Sequence, residues 1–130
     1  MKKFIHLVED NEDIRYIVEF FLQDFDYEVQ VSASVKEFVA SMDKPLPDLY
    51  LLDVMLPDGN GLEICRYIKE NKDTKHIPVI IMSAHSNERE VRKESEADAF
   101  ISKPFDLNDL ASCIEKQLSA GNTAENSHSF

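Results

Sequence analysis

The chain has 130 residues, 43% hydrophobic and 30% charged, the length and balance of one globular domain with its own core. Fourteen basic residues against 25 acidic ones leave a net charge of −11, and no basic stripe is present to neutralise a phosphate backbone, so direct nucleic-acid binding is disfavoured. No apolar run has the length of a membrane span or a secretory signal, so a cytoplasmic protein without membrane contact is expected.

In chain order, Phe4–Val8 is a strand-like run. Ile14, Ile17, Val18, Phe21, Leu22 and Phe25 then recur at i, i+3, i+4 and i+7, which predicts an amphipathic helix with one apolar stripe. Tyr27–Val31 reads as the second strand, and Val35, Phe38, Val39 and Met42 as a shorter helical stripe. Leu49–Val54 and Val79–Ser83 are near-continuous apolar runs, the pattern of central strands covered on both faces. Between them Leu62, Ile64, Cys65 and Ile68 follow a helical period, and Pro78 marks the entry to the next strand. The stretch His85–Glu96 carries one apolar side chain, Val91, so a helix there has little with which to grip a sheet and is expected to be short or mobile. Ala99–Ser102 is the last strand. Leu107, Leu110, Ala111, Ile114 and Leu118 form the last stripe, with Asp106 placed to cap it. Beyond Leu118 the composition turns to Ser, Ala, Gly, Asn and Thr, which predicts a domain over 1–118 and a disordered tail over 119–130. Cys65 and Cys113 lie far apart, have no zinc spacing, and read as reduced thiols on apolar helical faces.

Strands alternating with helices predict an α/β fold with a parallel sheet. In open sheets of this kind the functional crevice lies beyond the carboxyl ends of the strands. Those ends supply Glu9 and Asp10 after the first strand, Asp53 in the third, Ser83 closing the fourth and Lys103 after the fifth. A charge inside an apolar strand, as at Asp53, demands a partner or a function. Two carboxylates about 5 Å apart repel by about 3 kcal/mol at an effective dielectric near 20, so three are hard to keep ionised together without a cation. Magnesium suits a site that offers two carboxylates and fills its other positions with waters, a carbonyl or phosphate oxygens. Lys103 then balances Asp53 or receives an anion, and Ser83 has a hydroxyl to donate to that anion. The chemistry this fits is phosphoryl transfer to a carboxylate nucleophile. Glu12 and Asp13 read as acids favoured at a helix N-terminus, Gly59 and Gly61 as turn residues, and His6, His76 and His128 belong to no constellation.

The segments Val8-Glu9-Asp10-Asn11, Leu52-Asp53-Val54-Met55-Leu56-Pro57-Asp58-Gly59-Asn60-Gly61, Ser83-Ala84 and Lys103-Pro104-Phe105 strongly resemble the response-regulator receiver domain of two-component signalling, of the chemotaxis-regulator type. The four motifs occur in the family's order, and the resemblance runs from about Lys3 to Leu118. It implies a doubly wound, five-stranded parallel sheet of flavodoxin-like strand order 2-1-3-4-5, with helices on both faces. It implies that Asp53 accepts phosphate from a sensor histidine kinase or phosphotransfer protein. Mg2+ would be held by Asp10 and Asp53, by the Met55 backbone carbonyl and, largely through water, by Glu9. Ser83 would contact the phosphoryl group and move toward it on activation, and Lys103 would pair with a phosphoryl oxygen. Phe100 takes the place of the aromatic that turns inward with the hydroxyl, and the Lys103–Pro104 peptide would be cis.

Four departures from the family pattern stand out. Glu9 replaces the commoner Asp, Phe100 lacks a tyrosine hydroxyl, Glu96 stands where Gly is usual, and the interval from Ser83 to Lys103 is short. Met55 and His85 flank the site at positions expected to tune phosphate lifetime. Such a domain is a switch with at most slow self-catalysed phosphorylation and dephosphorylation, not a turnover enzyme. Without a second domain after Leu118, its output is expected to pass through a downstream protein target. Two other readings share parts of this site. A magnesium-dependent phosphohydrolase with an aspartyl nucleophile needs a second acid two residues on, where Met55 stands. A pseudo-receiver, serving only as an interaction surface, is disfavoured by the full set of site residues.

Overall fold

The computed structural model of the chain describes residues 2–84 and 88–128. In chain order the elements are β1 (Phe4–Val8), α1 (Glu12–Asp24), β2 (Glu28–Ser32), α2 (Val35–Ala40), β3 (Leu49–Asp53), β4 (Met55–Leu56), β5 (Gly59–Asn60), α3 (Gly61–Glu70), β6 (Val79–Ser83), α4 (Glu88–Glu94), β7 (Ala99–Ser102) and α5 (Leu107–His128). Five strands form one parallel sheet in the order β2-β1-β3-β6-β7, and β4 and β5 form a separate antiparallel ribbon. Setting the ribbon aside, this is the expected 2-1-3-4-5 order. The chain reverses its direction of travel between β1 and β3, which opens a crevice at their carboxyl ends.

Every residue of β3 and β6 is buried, as their unbroken apolar runs require. The sheet divides two apolar clusters. One gathers Phe38 of α2, Leu62, Ile64, Cys65 and Ile68 of α3, and Val91 of α4. The other gathers Val18 and Leu22 of α1 with Leu110 and Ile114 of α5. Cys65 and Cys113 are both free and pack into opposite clusters.

Several boundaries differ from the sequence reading, each for a local reason. β2 begins at Glu28 rather than Tyr27 because α1 closes with a Schellman arrangement. The Asp26 amide donates to Gln23 O (3.0 Å) and the Tyr27 amide to Leu22 O (3.1 Å), with Asp26 at φ 70°, so Tyr27 is committed to the helix end. The α1 stripe proves wider than the sheet covers. Val18 and Leu22 are buried, but Ile17 is 51% exposed and sits beside Tyr16 and Phe20, both about two-thirds exposed. α4 spans seven residues, held by fully buried Val91 and by the Ser95 hydroxyl, which donates to Val91 O at 2.7 Å. Asp106 caps α5 as expected, its Oδ1 accepting from the Asn108 amide at 2.7 Å. The α5 backbone is helical from Leu107 to His128, past the last stripe residue, Leu118.

Candidate functional site

Past the end of β1 the Glu9 amide still donates to Ser32 O (3.0 Å), which carries Glu9 into the sheet edge and buries it completely, while Asp10 is exposed. The Asn11 amide donates to Glu9 Oε2 (3.1 Å), and Asn11 Oδ1 accepts from the Ile14 amide (3.0 Å), capping α1. Arg15, one turn into that helix, donates its guanidinium to the main-chain oxygens of Glu9 (3.0 Å) and Asp10 (3.3 Å). Sequence reasoning missed this brace; its only signal is a basic residue close behind the acidic pair.

Asp53 ends β3 and is 6% exposed. The chain then loops through the ribbon and returns so closely that a Cβ at Gly61 would overlap the Asp53 carbonyl oxygen, and the Gly61 amide donates to Val54 O at 2.8 Å. Close backbone approach, rather than turn geometry, makes residue 61 a glycine. Ser83 closes β6, buried. Lys103 follows β7; its amide donates to Ser83 O (2.9 Å) and the peptide to Pro104 is cis. Its ammonium lies 2.6 Å from Glu9 Oε1 and 3.2 Å from Asp53 Oδ2.

The structure therefore brings Glu9, Asp10, Asp53, Met55, Ser83 and Lys103 to the walls of one cleft of about 320 Å³. Phe100 is not among them. It lies on β7 opposite Ile81 and packs, partly buried, against the cluster that holds Val91. His85 lies outside the described residues.

Charge in the cleft is unbalanced. Burial, reinforced by the Asp53 carboxylate, holds the Glu9 carboxyl well above the ordinary carboxylate range despite the opposing pull of Lys103. Burial works against the Lys103 ammonium, but Glu9 and Asp53 outweigh it and its pKa rises, so Lys103 stays cationic. Among the described residues lining the cleft, one ammonium thus faces three carboxyls. Oxygens of Glu9, Asp10 and Asp53 lie within 4.8 Å of one another, an all-oxygen donor set suited to a hard divalent ion.

The sequence matches the family model of the response regulator receiver domain over residues 5–115. The chain belongs to the response-regulator receiver family. This receiver is 35% identical over 117 residues to the phosphate regulon transcriptional regulatory protein PhoB of Escherichia coli, a match covering 88% of the chain and 51% of PhoB, so it spans about half that relative's length. Its fold is similar to a CheY-like response regulator receiver domain protein from Methanospirillum hungatei (TM-score 0.87, 26% identity, 95% of this chain and 99% of the other). It is also similar to the receiver domain of a sensor histidine kinase from Pseudomonas aeruginosa, a structure with a magnesium ion coordinated in its active site cleft (TM-score 0.82, 25% identity, 92% and 99% covered). The receiver is a module of two-component signalling. Among its described residues, no helix is long and apolar enough to cross a membrane.

Proposed function

We propose that this receiver accepts a phosphoryl group on Asp53 from a sensor histidine kinase or phosphotransfer protein in the cytoplasm, with Mg2+ as cofactor, and passes the change to a downstream protein. The observation that carries the reading is the convergence of Asp53 and Lys103 with Glu9 and Asp10 on one cleft. Mg2+ would be held by Asp10, Asp53, the Met55 carbonyl and, through water, Glu9. When bound, it offsets the negative charge of the incoming phosphoryl group.

The remaining work falls to the chain itself. An Asp53 carboxylate oxygen attacks phosphorus, the bond to the donor breaks, and an acyl phosphate forms. Lys103, already 3.2 Å from Asp53, is placed to pair with a phosphoryl oxygen. Glu9 holds that ammonium at the site beforehand. Ser83 supplies a hydroxyl at the neighbouring strand end, and its approach to phosphate would be read by Phe100 and the short helix α4. The exposed Tyr16, Ile17 and Phe20, beside an apolar groove that includes Pro104 and Phe105, offer a surface on which a phosphodonor protein would dock. The acidic surface argues against direct contact of this domain with nucleic acid. Met55, where a phosphohydrolase would need an acid, argues for a switch without turnover.

Incubation with Mg2+ and acetyl phosphate tests the proposal. The expected result is a mass gain of one phosphate that Asp53→Asn and chelation each abolish. Labelling that survives both overturns it, and sustained turnover of a phosphomonoester would instead identify a hydrolase.

A further inference from the structure

The β4–β5 ribbon follows Asp53 directly, and its tip residue, Asp58, reaches back to α2. Asp58 Oδ1 accepts from the Val35 amide at 2.8 Å and Oδ2 from the Lys36 amide at 2.9 Å. These are the first two amides of α2, and the helix's own cap does not serve them. Ser34 Oγ takes the Glu37 amide (3.1 Å), and Ser34 O takes that of Phe38 (3.1 Å). The amides of Lys36 and Val35 hold the Asp58 carboxyl below its usual range. Gly59 permits the approach, since a Cβ there would come 2.7 Å from Val35 Cγ2. The Asp58 carboxylate thus fastens the ribbon tip to α2, and Gly59 leaves the room for it to do so.

The ribbon needs that anchor. It consists of two residue pairs, Met55 with Asn60 and Leu56 with Gly59, too few to hold a shape alone. Leu56 seats one side in the core and Gly61 ties the exit to Val54, which leaves the tip to Asp58. Met55, at the open end, lines the cleft.

We propose that Asp58 is a positioning residue for the cation site: by fastening the ribbon tip to α2, it sets where the Met55 main chain stands relative to Glu9, Asp10 and Asp53. The proposal rests on the magnesium reading given above. It makes α2 and the cleft partners, so cation binding should in turn steady the Val35 and Lys36 amides.

Calorimetric titration of Mg2+ into the whole chain, with NMR hydrogen exchange of those two amides, tests it. Asp58→Ala should weaken Mg2+ binding about tenfold, the scale of lost support behind a metal ligand. Gly59→Ala keeps the carboxylate but pushes the tip from Val35, and should weaken binding in the same direction, which separates positioning from simple loss of charge. Asp58→Asn, retaining one acceptor, should fall between wild type and Asp58→Ala. Ser34→Ala removes a different α2 cap without touching the ribbon and should leave affinity within about twofold, since such caps act locally. Mg2+ should slow exchange at Val35 and Lys36 in wild type and Ser34→Ala, but not in Asp58→Ala.

An affinity for Asp58→Ala within about twofold of wild type would overturn the proposal. So would an equal loss in Ser34→Ala. If Asp58→Ala does not fold by circular dichroism, Gly59→Ala and Asp58→Asn decide. Wild type that binds no Mg2+, or Asp53→Asn that binds it as well, refutes the cation reading itself and this proposal with it.

Discussion

His6 is buried on β1, its ring centroid 5.6 Å from Phe38 and 5.8 Å from Tyr50, with Nε2 and Ser32 Oγ joined by a 2.8 Å hydrogen bond. Read from sequence it belonged to no constellation, because its partners come from β2, α2 and β3. Burial first, then the charge of Lys44, lowers its pKa from 6.5 to about 4. The folded state therefore excludes a proton that the unfolded chain binds below pH 6.5. Stability contributed by the neutral ring is present above pH 6.5 and lost as pH falls toward about 4. Across that window wild type should lose up to about 3 kcal/mol more than His6→Gln, measured by urea unfolding at each pH. Asp26 carries a different cost, a left-handed backbone (φ 70°) that suits glycine. Its exposed 3.5 Å contact with Lys2 offers little in return. Asp26→Gly should raise stability by about 1 kcal/mol, visible as a higher melting temperature.

Among the elements, α4 is short and carries a single apolar residue. The structure drives that residue, Val91, to complete burial. Val91→Ala should cost about 2 kcal/mol and accelerate hydrogen exchange across Glu88–Glu94 ahead of the other helices. The elements legible in the sequence are those with a long apolar signature. β3 and β6 announce themselves as unbroken runs, and α3 buries all four residues of its stripe, Leu62, Ile64, Cys65 and Ile68. The β4–β5 ribbon escaped notice because strands of two residues have no period to detect. The role of Asp58 escaped for a related reason: its partners, Val35 and Lys36, stand more than twenty residues earlier in the chain. The one local hint is that α2 starts with two amides its own cap leaves over. Within the site, the strand-end residues were legible because a parallel sheet sends strand ends to one edge. The Glu9–Lys103 contact and the Arg15 brace were not, since side-chain reach carries no mark in sequence spacing.

For the molecule as a whole, a bound ion should act as a stabiliser by mass action, because the unfolded chain keeps no such cleft. Free Mg2+ at about 100 times its dissociation constant should add about 2.7 kcal/mol to unfolding. Asp53→Asn should forfeit most of that gain, which thermal melts across a magnesium series would register. The division of the interior by the five-stranded sheet has a separate consequence. Val91 and Ile114 belong to clusters that do not merge, so an injury on one side has no direct neighbour to trouble on the other. Val91→Ala combined with Ile114→Val should give a penalty equal to the sum of the two single losses within about 0.5 kcal/mol. The domain is in this respect two half-cores back to back, and each of them is open to redesign while the other is left alone.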